Sequence, residues 1–349
     1  MDKVLTVVIP TYNMERYLRY CLDSLCVSRG GDVLEVLVIN DGSKDSSSAI
    51  AHEYEQEYPG LFRVIDKENG NYGSCINRGL AEAKGKYIKI LDADDSFDTK
   101  NFECFIDFLC MTDSDLVVSD FSIVDEDRNI KKVVCHGFPA GYVHIDEICT
   151  AENFSHIQMH AVTYRKNVLL NLSYKQTEGI SYTDQEWVFI PMVGVKSVCY
   201  FDKSVYMYLV GRVGQTMNPD VKAKHITHVC KCTYSMLNVY MHYRNRISEQ
   251  LITYLNGRLD YMIREVYVFY LQHYSARNKN ALIQFDSTLK GISQEVYYRI
   301  GNENSKFNYI HLWRNNINLS PAFIRLAGWL GFQIVVPLKR FCLFYFKRK

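Results

Sequence analysis

The chain has 349 residues, enough for one large domain or two ordinary ones around a buried core. Hydrophobic residues at 48% and charged residues at 23% describe a globular protein, and a formal net charge of +1 supplies no field that would gather nucleic acid. Aromatics make up 13%, with 26 tyrosines, an amount that points to amphipathic surfaces meeting sugars, lipids or protein partners.

The chain opens with "MDKVLTVVIP", too short and too soon interrupted for a secretory signal. "VLTVVIP" reads as a buried strand stopped by Pro10, and "ERYLRYCLDSL" then places Tyr17, Leu18, Cys21, Leu22 and Leu25 on one helical face. "VLEVLVIN" is a second apolar strand closed by the turn "DGS". A polar helix "SSAIAHEYEQEY" ends at Pro59-Gly60, and "FRVID" follows as a third strand. "YGSCINRGLAEA" is a helix, "KYIKIL" a fourth strand and "SDLVVSDF" a fifth. Strands apolar on both faces and separated by helices predict a mostly parallel sheet covered on each side.

In such sheets ligands bind beyond the carboxyl ends of the strands. Polar residues gather there three times: "PTYN" after the first strand, "NDGS" after the second and "DADD" after the fourth. The last is the most telling. Asp92, Asp94 and Asp95 crowd negative charge at one strand end, which costs free energy unless something positive sits beside them.

Beyond about residue 130 the pattern loosens. "CTAENFSHIQMHAVTYRKNVL" reads as a crossing segment leading into a helix. "GISYTDQEWVFIPM" sets acidic residues just before an amphipathic helix, and "SVCYFDKSVYMYLVGRVGQTMN" alternates like a strand and then turns. From about 221 to 300 the spacing is helical and rich in aromatics. Eleven cysteines lie scattered without any C-x-x-C, as reduced thiols serving as small hydrophobes in a cytosolic protein. Cys230 and Cys232, with His225 and His228 nearby, do not match a zinc spacing.

Taken together, "VVIPTYNMERYLRYCLDSL", "VINDGSKDSS", "NYGSCINRGLAEAKGKYIKILDADD" and "TDQEW" resemble the family 2 glycosyltransferases with the GT-A fold, similar to bacterial enzymes that build capsule, exopolysaccharide or lipopolysaccharide chains. The resemblance runs over residues 3–218 in matching order. It implies an α/β, Rossmann-like, mostly parallel sheet with helices on both faces, followed by a helical C-terminal region. The expected boundaries are a GT-A domain over 1–218, a helical region over 219–318 and an apolar, basic tail over 319–349.

The resemblance also implies a site. Pro10, Thr11, Tyr12 and Asn13 would wrap the nucleotide of a sugar-nucleotide donor, with Glu15 close behind, and Asp41 would accept a hydrogen bond from the uracil N–H. Gly73 and Ser74 would allow the backbone to approach the donor. Asp92-Ala93-Asp94 is the D-x-D of the family, with Asp94 as ligand to Mn²⁺ or Mg²⁺ and Asp92 in support; both ions favour oxygen ligands and substrate phosphates. Asp95 would orient these two or face the acceptor. Asp184 in "YTDQEW" corresponds to the general base of an inverting transfer, with Thr183 in place of the family's Glu and Glu186 as a competitor. Arg212 in "YLVGRVGQTMN" would meet the diphosphate with its planar fork, and Gln215-Thr216 would close that loop. One departure stands out: where relatives carry Arg before the Asn of the glycine-rich stretch, this chain has Ile76, and Arg78 follows Asn77 instead.

Other enzyme classes fit less well. A nucleotidyltransferase would want a glycine-rich basic loop after the first strand, where "PTYNMER" stands, and a D-x-D phosphatase would carry its carboxylates on the first strand rather than the fourth. The alternative that survives is a non-catalytic sugar-nucleotide-binding scaffold. The acceptor is expected to be a saccharide or lipid-linked glycan. The tail "FIRLAGWLGFQIVVPLKRFCLFYFKRK", broken by Arg325, Pro337, Lys339 and Arg340, suits an interfacial segment peripheral to the inner face of a membrane better than a span.

Overall fold

The structure, a computed structural model, describes residues 2–212, 215, 219–302 and 308–315. Thr216 and the tail 319–349 lie outside the described residues. The chain divides into two compact units, one of Met1–Lys222 with Tyr243–Asn256, the other of residues 223–242 with those from 257 onward.

The first unit is built on a ten-stranded sheet. Its strands are β1 (Leu5–Thr11), β2 (Leu34–Asn40), β3 (Phe62–Asp66), β4 (Tyr87–Ile90), β5 (Ser96–Phe97), β6 (Leu116–Val124), β7 (Ile130–Val134), β8 (Tyr142–His144), β9 (Val162–Arg165) and β10 (Ser197–Leu209). The order is β3-β2-β1-β4-β9-β6-β10-β5, with β7 on β6 and β8 on β10. β1, β2, β3 and β4 are mutually parallel, as are β6 and β10. β1 is buried on both faces, which is why Leu5, Val7, Val8 and Ile9 read as one apolar run rather than an alternation.

Four helices connect the early strands: α1 (Glu15–Asp23), α2 (Ser47–Glu57), α3 (Asn71–Glu82) and α4 (Thr99–Met111). The chain winds outward from β1 to β3 and then returns to β4 on the other side of β1. Because such crossovers are right-handed, this reversal sends α3 to the sheet face opposite α1 and α2. It also opens a crevice between the carboxyl ends of β1 and β4. α3 lies close on the sheet: a Cβ on Gly79 would meet Val8 Cγ1 at 2.4 Å, so only glycine permits the approach.

One strand escaped the sequence. The segment expected to cross into a helix contains β9, which runs antiparallel between β4 and β6. Four residues are too few to show a period, and only the vacant edges of β4 and β6 give this stretch its partner.

The second unit is helical, drawing on Ile226–Tyr243, Glu249–Gln272, Ala276–Ile292, Gln294–Ile300 and Asn308–Asn315. Its core carries a polar knot. Asp286 accepts from Arg314 at 2.7 Å and from the Tyr267 hydroxyl, while the Arg314 guanidinium lies 3.5 Å from the centre of the Tyr297 ring. No described helix is long and apolar enough to cross a membrane. None of the described cysteines forms a disulfide.

Candidate active site

The loops after β1 and β2 are stitched together. The Asn13 side-chain carbonyl accepts from the Lys44 amide at 2.8 Å, Glu15 accepts from the Ser46 amide at 2.9 Å, and the Glu15 amide donates to Asp45 at 3.0 Å. Asn13 takes a left-handed conformation with φ of 53°, which Asn tolerates better than most residues. Pro10 is half-buried and Thr11 buried, whereas the Tyr12 ring beside them is 46% exposed, a free aromatic face at the mouth of the crevice.

Asp41 is nearly inaccessible and braces the floor of this region. Its Oδ1 accepts from Lys67 Nζ at 2.6 Å and from the Gly70 amide at 2.9 Å. The same ammonium donates to Ser74 Oγ at 2.9 Å, so Lys67 ties Asp41 to the start of α3. Lys67 was missed in the sequence; its only signal is its place directly after β3. Gly73 has a different reason from the one expected. A Cβ there would meet the Thr177 carbonyl at 2.2 Å, so the missing side chain admits the 174–178 segment against α3. Arg78, the displaced cation of the glycine-rich stretch, pairs with Glu82 at 2.9 Å on an exposed helix face, while Ile76 is buried.

After β4, Asp92, Asp94 and Asp95 each present an oxygen within 4.8 Å of the others. Their environments differ. Asp95 is consumed by the fold, accepting from the Tyr206 hydroxyl at 2.6 Å and the Leu209 amide at 2.7 Å. Burial, followed by the charges of Asp94 and Asp92, raises its carboxyl well above the ordinary range. Asp92 accepts from the Tyr72 hydroxyl at 2.7 Å. Burial and then the Asp94 charge push Asp92 up to about 7. Asp94, 8% exposed, receives the Arg212 side chain through Nε, and its backbone carbonyl accepts from Arg128 at 3.2 Å. Ala93 is buried between them. Three carboxylates whose oxygens converge, with Arg212 as the one cation paired to their side chains among the described residues, form a donor set suited to a divalent ion.

Asp184 opens a one-turn helix, Asp184–Trp187, and accepts from the Gln185 amide group at 2.8 Å. Its negative charge contributes to raising Asp92, Tyr72 and Tyr208, so it lies within electrostatic reach of the triad. Glu186 has different surroundings. It is 0% exposed, and its two oxygens hold the Thr177 amide at 2.8 Å and the Thr177 hydroxyl at 2.7 Å. Tyr182, two residues before Asp184, sits at φ of 69°, strained backbone of the kind that collects at working sites. Tyr208 is set in place by stacking on the buried His160 ring, centroids 4.2 Å apart.

The fold thus brings the triad, Asp184 and Arg212 to one crevice, with the Asn13 and Asp41 loops along its rim. Tyr72, Tyr206, Tyr208, Arg128 and Lys67 complete the surroundings, none of them a residue that the sequence motifs single out.

Residues 6–172 match the sequence profile of glycosyl transferase family 2. The chain is 26% identical over 278 residues to the uncharacterized glycosyltransferase YibD of Escherichia coli (strain K12), covering 75% of this chain and 79% of YibD. It is 36% identical over 104 residues to the minor teichoic acid biosynthesis protein GgaB of Bacillus subtilis (strain 168), 30% of this chain but only 12% of GgaB. Among solved structures it is similar to S. aureus TarS 1-349 in complex with UDP-GlcNAc, with a TM-score of 0.70 and 16% identity over 95% of this chain and 91% of that one. At that identity the likeness speaks for the fold. With the matched stretch enclosing the crevice between β1 and β4, the chain carries a glycosyl transferase family 2 domain over residues 6–172 and has the GT-A fold.

Proposed function

We propose that the protein is an inverting glycosyltransferase that moves a sugar from a UDP-sugar to a saccharide or lipid-linked acceptor in the synthesis of a cell-surface polysaccharide. The observation that carries this reading is the meeting of the acidic triad and Asp184 around one crevice. The UDP-GlcNAc bound to the fold neighbour TarS and the teichoic acid role of GgaB support the donor and acceptor classes.

In this reading Asp94 and Asp92 hold Mn²⁺ or Mg²⁺, which supplies positive charge to a departing diphosphate. Thr11, Tyr12 and Asn13 border the nucleoside, and Asp41, braced by Lys67, keeps the floor of its pocket in shape. Arg212 offers a second cation to the diphosphate. Asp184 takes the proton from the attacking acceptor hydroxyl, since an ionised carboxylate within reach of that oxygen is the simplest base at neutral pH. Tyr72 and Tyr208 line the space between the two acidic poles, where the transferred sugar would lie. We assign the chemistry to residues 1–218 and a supporting role to 219–318; the composition of 319–349 supports peripheral contact with a membrane.

The test is nucleotide release from a panel of sugar nucleotides with Mn²⁺, repeated with a chelator. Release from one UDP-sugar that stops on chelation supports the proposal; no release from any donor, with UDP still bound, points to the scaffold alternative.

A further inference from the structure

The same strand that ends in three carboxylates begins among four cations. Lys84 and Lys86 precede β4, Arg165 ends its antiparallel neighbour β9, and Lys166 opens the helix that follows. The register pairs Tyr87 with Arg165, and the Lys166 amide donates to the Lys86 carbonyl at 2.8 Å. These residues, with Gly85 and Asn167, enclose a cleft of about 250 Å³. Gly85 is pressed against β1, since a Cβ there would meet the Thr6 amide nitrogen at 2.4 Å.

The charges are poorly balanced. Asp113 is the one carboxylate paired with any of the four among the described residues, at 2.7 Å from Lys86 and 3.7 Å from Arg165, and at 79% side-chain exposure water screens it. Lys86 and Lys166 donate to the Thr112 and Ala83 carbonyls, at 2.6 and 2.8 Å, which fixes the ammonium groups without neutralising them. The Lys84 ammonium and the Asn167 amide, both exposed, have no hydrogen-bond partner among the described residues.

We propose that this cleft is a second binding site, for a phosphate ester. A small concave space ringed by four cations, with the Arg165 guanidinium held in place by the Asp113 carbonyl at 2.9 Å, suits a compact tetrahedral anion. An extended polyanion such as nucleic acid would need a longer basic track. The cleft lies about 20 Å from the acidic triad by strand rise, at the opposite end of the sheet, so it is separate from the donor crevice. The phosphate comes either from the acceptor or from a lipid headgroup.

The experiment follows the Gly85 and Asn167 amide signals of the full-length protein by NMR as inorganic phosphate is added. A Lys84→Glu, Asn167→Asp variant, altered at exposed positions only, is compared, with UDP binding as the control for folding. Saturable shifts that weaken about tenfold in the variant, with UDP binding intact, support the site. Shifts that do not saturate, or that survive the substitutions, overturn it. Two further arms separate the sources. Selective capture of the native protein by phosphatidylglycerol vesicles over phosphatidylcholine vesicles, lost in the variant, assigns the headgroup. Binding of a soluble glycerol phosphate oligomer without vesicle capture assigns the acceptor. Binding in neither arm, for the native protein, overturns the proposal even where phosphate shifts are seen.

Discussion

The Arg212 guanidinium donates through Nε to the Asp94 carboxylate, across 118 positions of sequence, and lies 5.6 Å from the centre of the Tyr17 ring. An arginine therefore occupies the carboxylate that the proposed mechanism gives to a divalent ion. Metal binding at Asp94 competes with it, and a diphosphate gives the released cation a new partner. Arg212→Ala should therefore bind Mn²⁺ more tightly than the native protein when no nucleotide is present, and UDP should strengthen Mn²⁺ binding less. Donor affinity should fall about tenfold or more, the loss of one charge-assisted hydrogen bond. Electron paramagnetic resonance titrations with and without UDP measure both effects. Asp94→Asn separates failures: if it leaves Mn²⁺ binding untouched, the metal site itself is misassigned.

Asp184 and Glu186 are two residues apart but have different surroundings, and substitutions should separate them. Asp184→Asn is expected to lower turnover by about a hundredfold or more while leaving UDP binding and thermal stability near native values. Glu186→Gln should instead weaken the grip on Thr177 and cost about 1–3 kcal/mol of stability, read from urea unfolding. Native stability in Glu186→Gln together with lost turnover would reverse the two assignments.

Gly73 faces the Thr177 carbonyl at a distance that no Cβ tolerates. Gly73→Ala is expected to destabilise the protein by about 1–3 kcal/mol through overpacking against backbone, although alanine is the better helix former. A melting temperature equal to or above the native one would mean that the 174–178 segment moves aside freely.

Lys89, on β4, is fully buried, with its ammonium 2.9 Å from the His160 carbonyl. Burial pushes it from its ordinary 10.5 down to about 7. The unfolded chain keeps this proton up to the ordinary value, while the folded protein gives it up near 7. Between those limits the unfolded state holds more protons, so stability should climb as pH rises from about 7 towards 10 and stay at its lower level below that window. Lys89→Met should lack this climb. The difference between native and variant urea midpoints, followed across that range, tests it, and a constant difference would show that Lys89 stays charged.

Local pattern was enough to lay down the frame. Runs such as Leu5–Ile9 and Leu34–Ile39 are buried on both faces, a requirement that a single stretch of chain displays as a nearly continuous apolar sequence, interrupted here only by Thr6 and Glu35. The turns after them, and the crowding of Asp92, Asp94 and Asp95, could be read for the same reason: neighbours in sequence repel or cap one another wherever the chain goes. What the three carboxylates do separately was decided only in the folded protein. Asp95 is bound to Tyr206 and Leu209, Asp92 to Tyr72 and Asp94 to Arg212, partners that lie 111, 114, 20 and 118 positions away. The same holds for Glu186, whose burial no motif announces, and for β9, which is a strand only because two others leave a gap for it. Burial and pairing depend on which distant segments meet. Free energies of this kind belong to the packed crevice, and no local stretch carries them alone.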